Sequence, residues 1–188
     1  MTGAIDRSNS LIHHPRRFSS NAKPMIFMTP HSIRLRPAQA EDQAFLFDLY
    51  RSTRAEELAA WGWDEAQQQA FLNLQFRGQQ AHYAEYPNTD HQIILDGQLP
   101  IGRPIGRMLV SHLQDEIRLV DIALLTHNRG QGIGAKLIQD LMSQAAQEGK
   151  CVRLHVEKHN RAQRLYQRLE FQIIGDAGSH HFMEWRSR

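Results

Sequence analysis

The sequence predicts an α/β domain built on one mixed sheet, and three observations carry that prediction. First, one short alternating run and then two helical patterns precede residue 90. Second, Asp96-Gly97 is a strong hairpin signal, so the strands around it form an antiparallel meander. Third, an apolar run from Leu119 to Leu125 enters a glycine-rich turn, then a long amphipathic helix, then another strand, which is a β-α-β unit. The expected order is β-α-α-β-β-β-α-β-α-β-β, a mostly antiparallel sheet flanked by about four helices.

Ser32-Ile33-Arg34-Leu35-Arg36-Pro37 alternates and stops at proline, which gives the first strand. Glu41 to Thr53 carries Phe45, Leu46, Leu49 and Tyr50 at helical spacing. Trp61-Gly62-Trp63 forms a loop, and Asp64 caps a second helix with Gln67 as its capping-box partner. Strands follow at His91–Leu95, Met108–Leu113 and Ile117–Leu125. Pro100-Ile101-Gly102-Arg103 is repeated at once as Pro104-Ile105-Gly106-Arg107, a small duplication that lengthens the hairpin. Ile133, Leu137, Ile138, Leu141, Met142, Ala145 and Ala146 make one stripe on a third helix, which Gly149 ends. Val152, Leu154 and Val156 alternate as a strand. Ala162, Leu165, Tyr166 and Leu169 make a short helix, and Phe171–Ile174 and His181–Trp185 close the sheet.

A length of 188 residues suits one domain with a real core. The net charge of +2, without a dense Lys/Arg block, argues against a nucleic-acid partner. No apolar run approaches the ~20 residues that span a bilayer, so no membrane partner is expected. Cys151 is the single cysteine, which excludes a disulfide within the chain and fits a reducing, cytoplasmic setting. Residues 1–31 are rich in serine and proline with no apolar period, and are expected to form a disordered tail before a domain at 32–188. Met25 and Met28, just before the ordered pattern, are alternative starts. No Cys/His cluster or His-Glu-x-x-His segment is present, so no metal is expected.

The turn Thr126-His127-Asn128-Arg129-Gly130-Gln131-Gly132-Ile133-Gly134-Ala135-Lys136-Leu137 is the chemical centre of the chain. Glycines between a strand and a helix let the backbone approach a ligand, and the helix N-terminus favours an anion. Gly130, Gly132 and Ala135 also satisfy a dinucleotide-binding Gly-x-Gly-x-x-Ala spacing, with Glu157 as the later acid. That reading suffers because the motif comes late and follows a hairpin. A tight turn without a ligand is the plain alternative.

Arg129, Gly132 and Gly134 form an Arg-x-x-Gly-x-Gly block between the fourth strand and the third helix. Downstream stands Asn160-Arg161-Ala162-Gln163-Arg164-Leu165-Tyr166-Gln167-Arg168-Leu169-Glu170-Phe171. Both blocks, in this order, resemble the GCN5-related N-acetyltransferase (GNAT) superfamily over roughly residues 32 to 186. Three positions depart from the family pattern. Thr126 stands where proline is frequent, and Glu170 where glycine is usual. The asparagine, commonly seven residues before the tyrosine, is here Asn160, six before, with His159 at the usual place.

The resemblance implies a GNAT fold with a splayed fourth and fifth strand, and acetyl-CoA as acyl donor. It places the pyrophosphate on Arg129, Gly130, Gln131, Gly132, Ile133 and Gly134, with Asn160 as a further cofactor contact. Arg129 either meets phosphate or caps the turn. The pantetheine arm is implied to pair with the backbone of Ile122, Ala123 and Leu124, whose side chains read as core. Tyr166 takes the place of the tyrosine that protonates the leaving thiolate, although its apolar stripe also suits a plain core aromatic. The acceptor is a small-molecule or peptide amine that must lose a proton before attack. Asp121, mid-strand among Leu119, Val120, Ile122 and Ala123, is the first candidate base; its structural alternative is an ion pair with Arg118, Arg107 or Arg153. His155 and Glu157 are weaker candidates. Glu56, Glu57, Trp61, Trp63, Asp64 and Glu65 lie in the region that roofs the acceptor pocket in the family, where they either hold a cation or simply pack and meet solvent. A non-catalytic acyl-CoA-binding or regulatory module is the remaining alternative. The oligomeric state stays open, with homodimers common in the family.

Overall fold

The computed structural model describes residues 33–97 and 102–187. The expected N-terminal tail, with Met25 and Met28, lies outside the described residues, as do Pro100 and Ile101 of the tandem tetrapeptide. In chain order the elements are β1 (Arg34–Pro37), α1 (Gln43–Ala60), α2 (Glu65–Ala84), β2 (Thr89–Asp96), β3 (Arg103–His112) and β4 (Glu116–Leu124). Then come α3 (Ile133–Gln147), β5 (Cys151–Glu157), α4 (Gln163–Arg168), β6 (Gln172–Ala177) and β7 (His180–Trp185). The seven strands form one sheet in the order β1-β2-β3-β4-β5-β7-β6. Only β4 and β5 are parallel, because α3 carries the chain back between them.

Alternation sends side chains to two cores, one on each face. Ile94, Ile117, Leu119, Val152, Leu154, Val156 and Met183 pack with Ile133, Leu137, Ile138, Leu141 and Ala145 of α3 and with Tyr166 of α4. Ile93 and Leu95 of β2 face the other way, onto Leu46, Tyr50 and Leu58 of α1 and Leu72 and Phe76 of α2. The apolar stripe of α3 is therefore the face expected of it, except that Ala146 is exposed.

The Asp64 cap forms as expected: the Gln67 amide donates to Asp64 Oδ1 (2.8 Å) and the Asp64 amide donates to Gln67 Oε1 (3.1 Å). Helix α1 runs past the expected end at Thr53 to Ala60. The segment Arg54-Ala55-Glu56-Glu57-Leu58-Ala59-Ala60 is made of strong helix formers. It has too few apolar residues to show a stripe. Among the described residues, no helix is long and apolar enough to cross a membrane.

The feature that shapes the site is a bulge in β4. Leu109 pairs with Asp121 but Val110 pairs with Leu119, so Val120 is an extra residue. A bulge bends its strand and increases the local twist. The parallel pairing of β4 with β5 ends at the same place, with Leu119 opposite Leu154. Beyond it, β4 stays with β3 up to Leu124 opposite Gly106. Strand β5 stays with β7 up to Glu157 opposite His180. A gap opens between the carboxyl ends of the two parallel strands.

Candidate active site

The glycine turn closes one side of this gap. Leu125 leaves β4 and its amide donates to the Ile105 carbonyl (2.8 Å). Thr126–Asn128 form a single 3-10 turn, Arg129 is extended, and Gly132, at φ +80°, precedes α3. No side chain caps α3. Among the described residues, none of the main-chain N–H groups from Gly130 through Ala135 finds a main-chain acceptor. The space before the turn is empty: a Cβ built on Gly130, Gly132 or Gly134 meets no atom within 4 Å. A row of bare donors at the positive end of a 15-residue helix suits a phosphate group.

The side chains of the turn act on the turn itself. Arg129 Nε donates to the Leu124 carbonyl (2.9 Å) and Gln131 Nε2 to the His127 carbonyl (2.8 Å). Of the two roles open to Arg129, capping is the one this geometry displays. Ile133 is buried in the core and reaches a ligand only through its amide. Ile122, Ala123 and Leu124 pair with Met108, Arg107 and Gly106 of β3, and pair with nothing on the β5 side. An extended ligand can add to such a free edge as a strand would.

Tyr166 stands on α4 with its ring buried against Phe171, at a centroid distance of 5.8 Å. Its hydroxyl makes no hydrogen bond among the described residues. Burial, and then the negative charge of Asp121, push its pKa up from the ordinary value, so the hydroxyl stays protonated at neutral pH.

Asp121 is ion-paired. Arg107 Nε donates to its Oδ2 at 2.7 Å, which selects Arg107 among the three candidate partners. Arg118 and Arg153 are both engaged by Glu116 instead. The Arg107 guanidinium is buried, and its Nη2 donates to Gln79 Oε1 (2.8 Å) and to the Tyr83 hydroxyl (3.0 Å) on α2. It also lies 4.9 Å over the Tyr83 ring. His91 packs on Tyr83, and its pKa is lowered by burial and then by Arg107. Gln79 and Tyr83 were not singled out from the sequence.

The other candidates stand apart from this cluster. His155 is exposed and stacks on Phe182 at 4.6 Å, and Glu157 is exposed at the end of β5. Asn160 Oδ1 accepts from the Ala162 amide (2.8 Å) and so closes the turn that precedes α4. Lys158, His159, Asn160, Arg161, Gln163, Arg164 and Gln167 line a basic cavity of about 370 Å³ at this loop. Trp61 and Trp63 pack on each other (4.7 Å) and on Phe71, while each keeps more than a third of its surface exposed. Among the described residues, no group of three His, Cys, Asp or Glu side chains is placed to hold a metal ion.

The sequence profile of the Acetyltransferase (GNAT) family matches residues 44–171. The chain belongs to the GNAT acetyltransferase family. GNAT structures also share its fold. The PaiA N-acetyltransferase of Thermoplasma acidophilum, in complex with coenzyme A, is similar with a TM-score of 0.60 at 16% identity, over 83% of this chain and 99% of the other. An acetyltransferase of Thermus thermophilus gives 0.60 at 16% identity, over 87% and 100%. The spermidine N-acetyltransferase of Vibrio cholerae, in complex with CoA and spermine, gives 0.53 at 14% identity, over 81% and 92%. A search of curated protein sequences finds no match. The GNAT fold removes the dinucleotide reading of the glycines: the strand that enters the turn lies antiparallel to β3, whereas a doubly wound nucleotide fold needs parallel neighbours.

Proposed function

We propose that the protein transfers the acetyl group of acetyl-CoA to a primary amine by direct attack in a ternary complex. One observation carries this reading: the bare amides of Gly130 through Ala135 stand at the carboxyl end of β4, whose next edge is free from Val120 to Leu124. The amides take the pyrophosphate, and the free edge of Ile122, Ala123 and Leu124 takes the pantetheine arm. That arm leads the thioester into the gap between β4 and β5, toward Tyr166. The residues present fit acetyl-CoA as the acyl donor, and nothing in the reaction asks for a metal.

In the transfer, the amine lone pair forms the new C–N bond and the C–S bond breaks. The electron pair leaves on sulfur, the Tyr166 hydroxyl gives the thiolate a proton, and the proton that the nitrogen sheds as the amide forms restores the phenol. Burial weakens Tyr166 as an acid, but the same desolvation raises the basicity of a thiolate held beside it, so the proton still has reason to move. The ammonium proton leaves to Asp121, whose side chain is partly exposed. A spermidine N-acetyltransferase among the structural relatives supports an amine as acceptor.

Thermal unfolding tests the reading. Acetyl-CoA at a hundredfold excess over its Kd stabilises the folded state by about 2.7 kcal/mol. Each kcal/mol raises the Tm of a domain this size by about 2–4 °C. NADH leaves the Tm unchanged. A rise with NADH and none with acetyl-CoA would sink the proposal.

A further inference from the structure

We infer that Arg107 is a positioning residue for Asp121, and that α2 sets its position through Gln79 and Tyr83. This inference rests on the proposed transfer with Asp121 as proton acceptor. It concerns residues that the transfer itself does not touch.

The guanidinium is held from two sides of the fold. Strand β4 supplies Asp121 Oδ2 at 2.7 Å. Helix α2 supplies Gln79 Oε1 at 2.8 Å, the Tyr83 hydroxyl at 3.0 Å and the Tyr83 ring under Cζ. The Arg107 side chain is 4% exposed, whereas that of Asp121 is 24% exposed. The anchored end of the pair is thus buried and the carboxylate is its open end. Arg107 Nε holds Oδ2, and the Tyr83 hydroxyl is a second neighbour of the carboxylate.

Stability alone is a poor account of this arrangement. Burying an ion pair costs desolvation, and apolar side chains of similar size often do as well or better. The Nη1 of Arg107 is also buried without a partner among the described residues. What the arrangement provides is position: α2 holds the guanidinium at Nη2, and the single Nε–H···Oδ2 bond then fixes where that carboxylate oxygen lies. The groups that face Asp121 are Arg107 from β3, Tyr83 from α2, His91 from β2 and Tyr166 from α4; its charge is felt at Tyr83, His91 and Tyr166.

The tandem tetrapeptide gains a meaning here. Its second copy supplies the buried Arg107, while Arg103 of the first copy is exposed at the start of β3. The extra residue of the β2/β3 bulge, Ile105, also lies in the second copy.

The test is a double-mutant cycle on kcat, read as CoA thiol released from acetyl-CoA with spermidine and with lysine methyl ester as acceptor amines. Tyr83→Phe removes one hydroxyl and keeps the ring under the guanidinium. It is expected to lower kcat between about tenfold and a hundredfold, as small misplacements do. The Tm rise with acetyl-CoA should persist. In an Asp121→Asn background the same substitution should cost nothing more, because both act through one carboxylate. Gln79→Ala, which cuts a separate hydrogen bond to the same guanidinium, should show the same pattern, and Arg107→Lys should restore less than the wild-type rate. Equal losses from Tyr83→Phe in both backgrounds, or no loss in either, overturn the inference and leave the transfer intact. An unchanged rate in Asp121→Asn removes Asp121 as proton acceptor and the inference with it, while no thiol release with either amine removes the transfer reading as well.

Discussion

Replacing Gly134 with leucine abolishes acetyl-CoA binding and leaves the unliganded protein at least as stable as before. Gly134 sits in the first turn of α3, and its φ is not in the left-handed region. A Cβ there meets nothing within 4 Å. Glycine in a helix is about 0.5–1 kcal/mol worse than alanine, and leucine has nearly the propensity of alanine. The unliganded Tm should therefore hold or rise by a few degrees. The new side chain fills the space through which a phosphate must approach the amides of Gly130 through Ala135. Affinity should fall at least about a hundredfold, equivalent to about 2.7 kcal/mol. Calorimetric titration reads the loss, and a thermal melt reads the fold. The neighbouring Gly132 is a poorer choice, because at φ +80° any side chain strains the turn and confuses the two effects. Undiminished binding by the leucine variant would mean that the turn is not the phosphate site.

Tyr166→Phe lowers kcat by about 10²–10⁴, the range of a lost general acid, with acetyl-CoA affinity unchanged. The substitution is clean for a structural reason. The ring keeps its contact with Phe171, and the hydroxyl leaves no orphaned partner because it has none among the described residues. The fold should melt at the same temperature. The pKa of Tyr166 is raised above its ordinary value of 10.0, so the protonated donor persists to higher pH than a free phenol. The wild-type rate should accordingly show no decline from Tyr166 ionisation below about pH 10. A stopped assay of thiol release across pH checks both statements. Full turnover by the phenylalanine variant would reduce Tyr166 to a core aromatic.

Most of the architecture was legible in the chain because it is written in local signals. The alternation of Val152, Leu154 and Val156, the stripe of α3 and the Asp64–Gln67 capping box each involve a few neighbouring residues. The glycine turn was legible for the same reason. The second half of α1 was not, since Leu58 is its only large apolar residue. The bulge at Val120 was invisible because register belongs to two strands together, not to one. Its consequence for the site is large. Counting alternate residues from Ile117 and Leu119 would put Asp121 on the core face. The extra residue reverses the phase, so Ile122 and Leu124 face the core and Asp121 faces Arg107. That reversal is also why three arginines looked equal as partners. Gln79 was hidden differently: a glutamine on a helix reads as solvated until a buried charge is found opposite it.

The central claim is that the glycine turn and the free edge of β4 together form the acyl-CoA site. Backbone amide NMR during titration with acetyl-CoA tests it most directly. The expected result is that amide signals from Gly130 through Ala135 and from Ile122 through Leu124 shift together, with one shared Kd, as hydrogen bonds form to phosphate and pantetheine. Binding that shifts signals elsewhere and leaves both of these segments unmoved would contradict it.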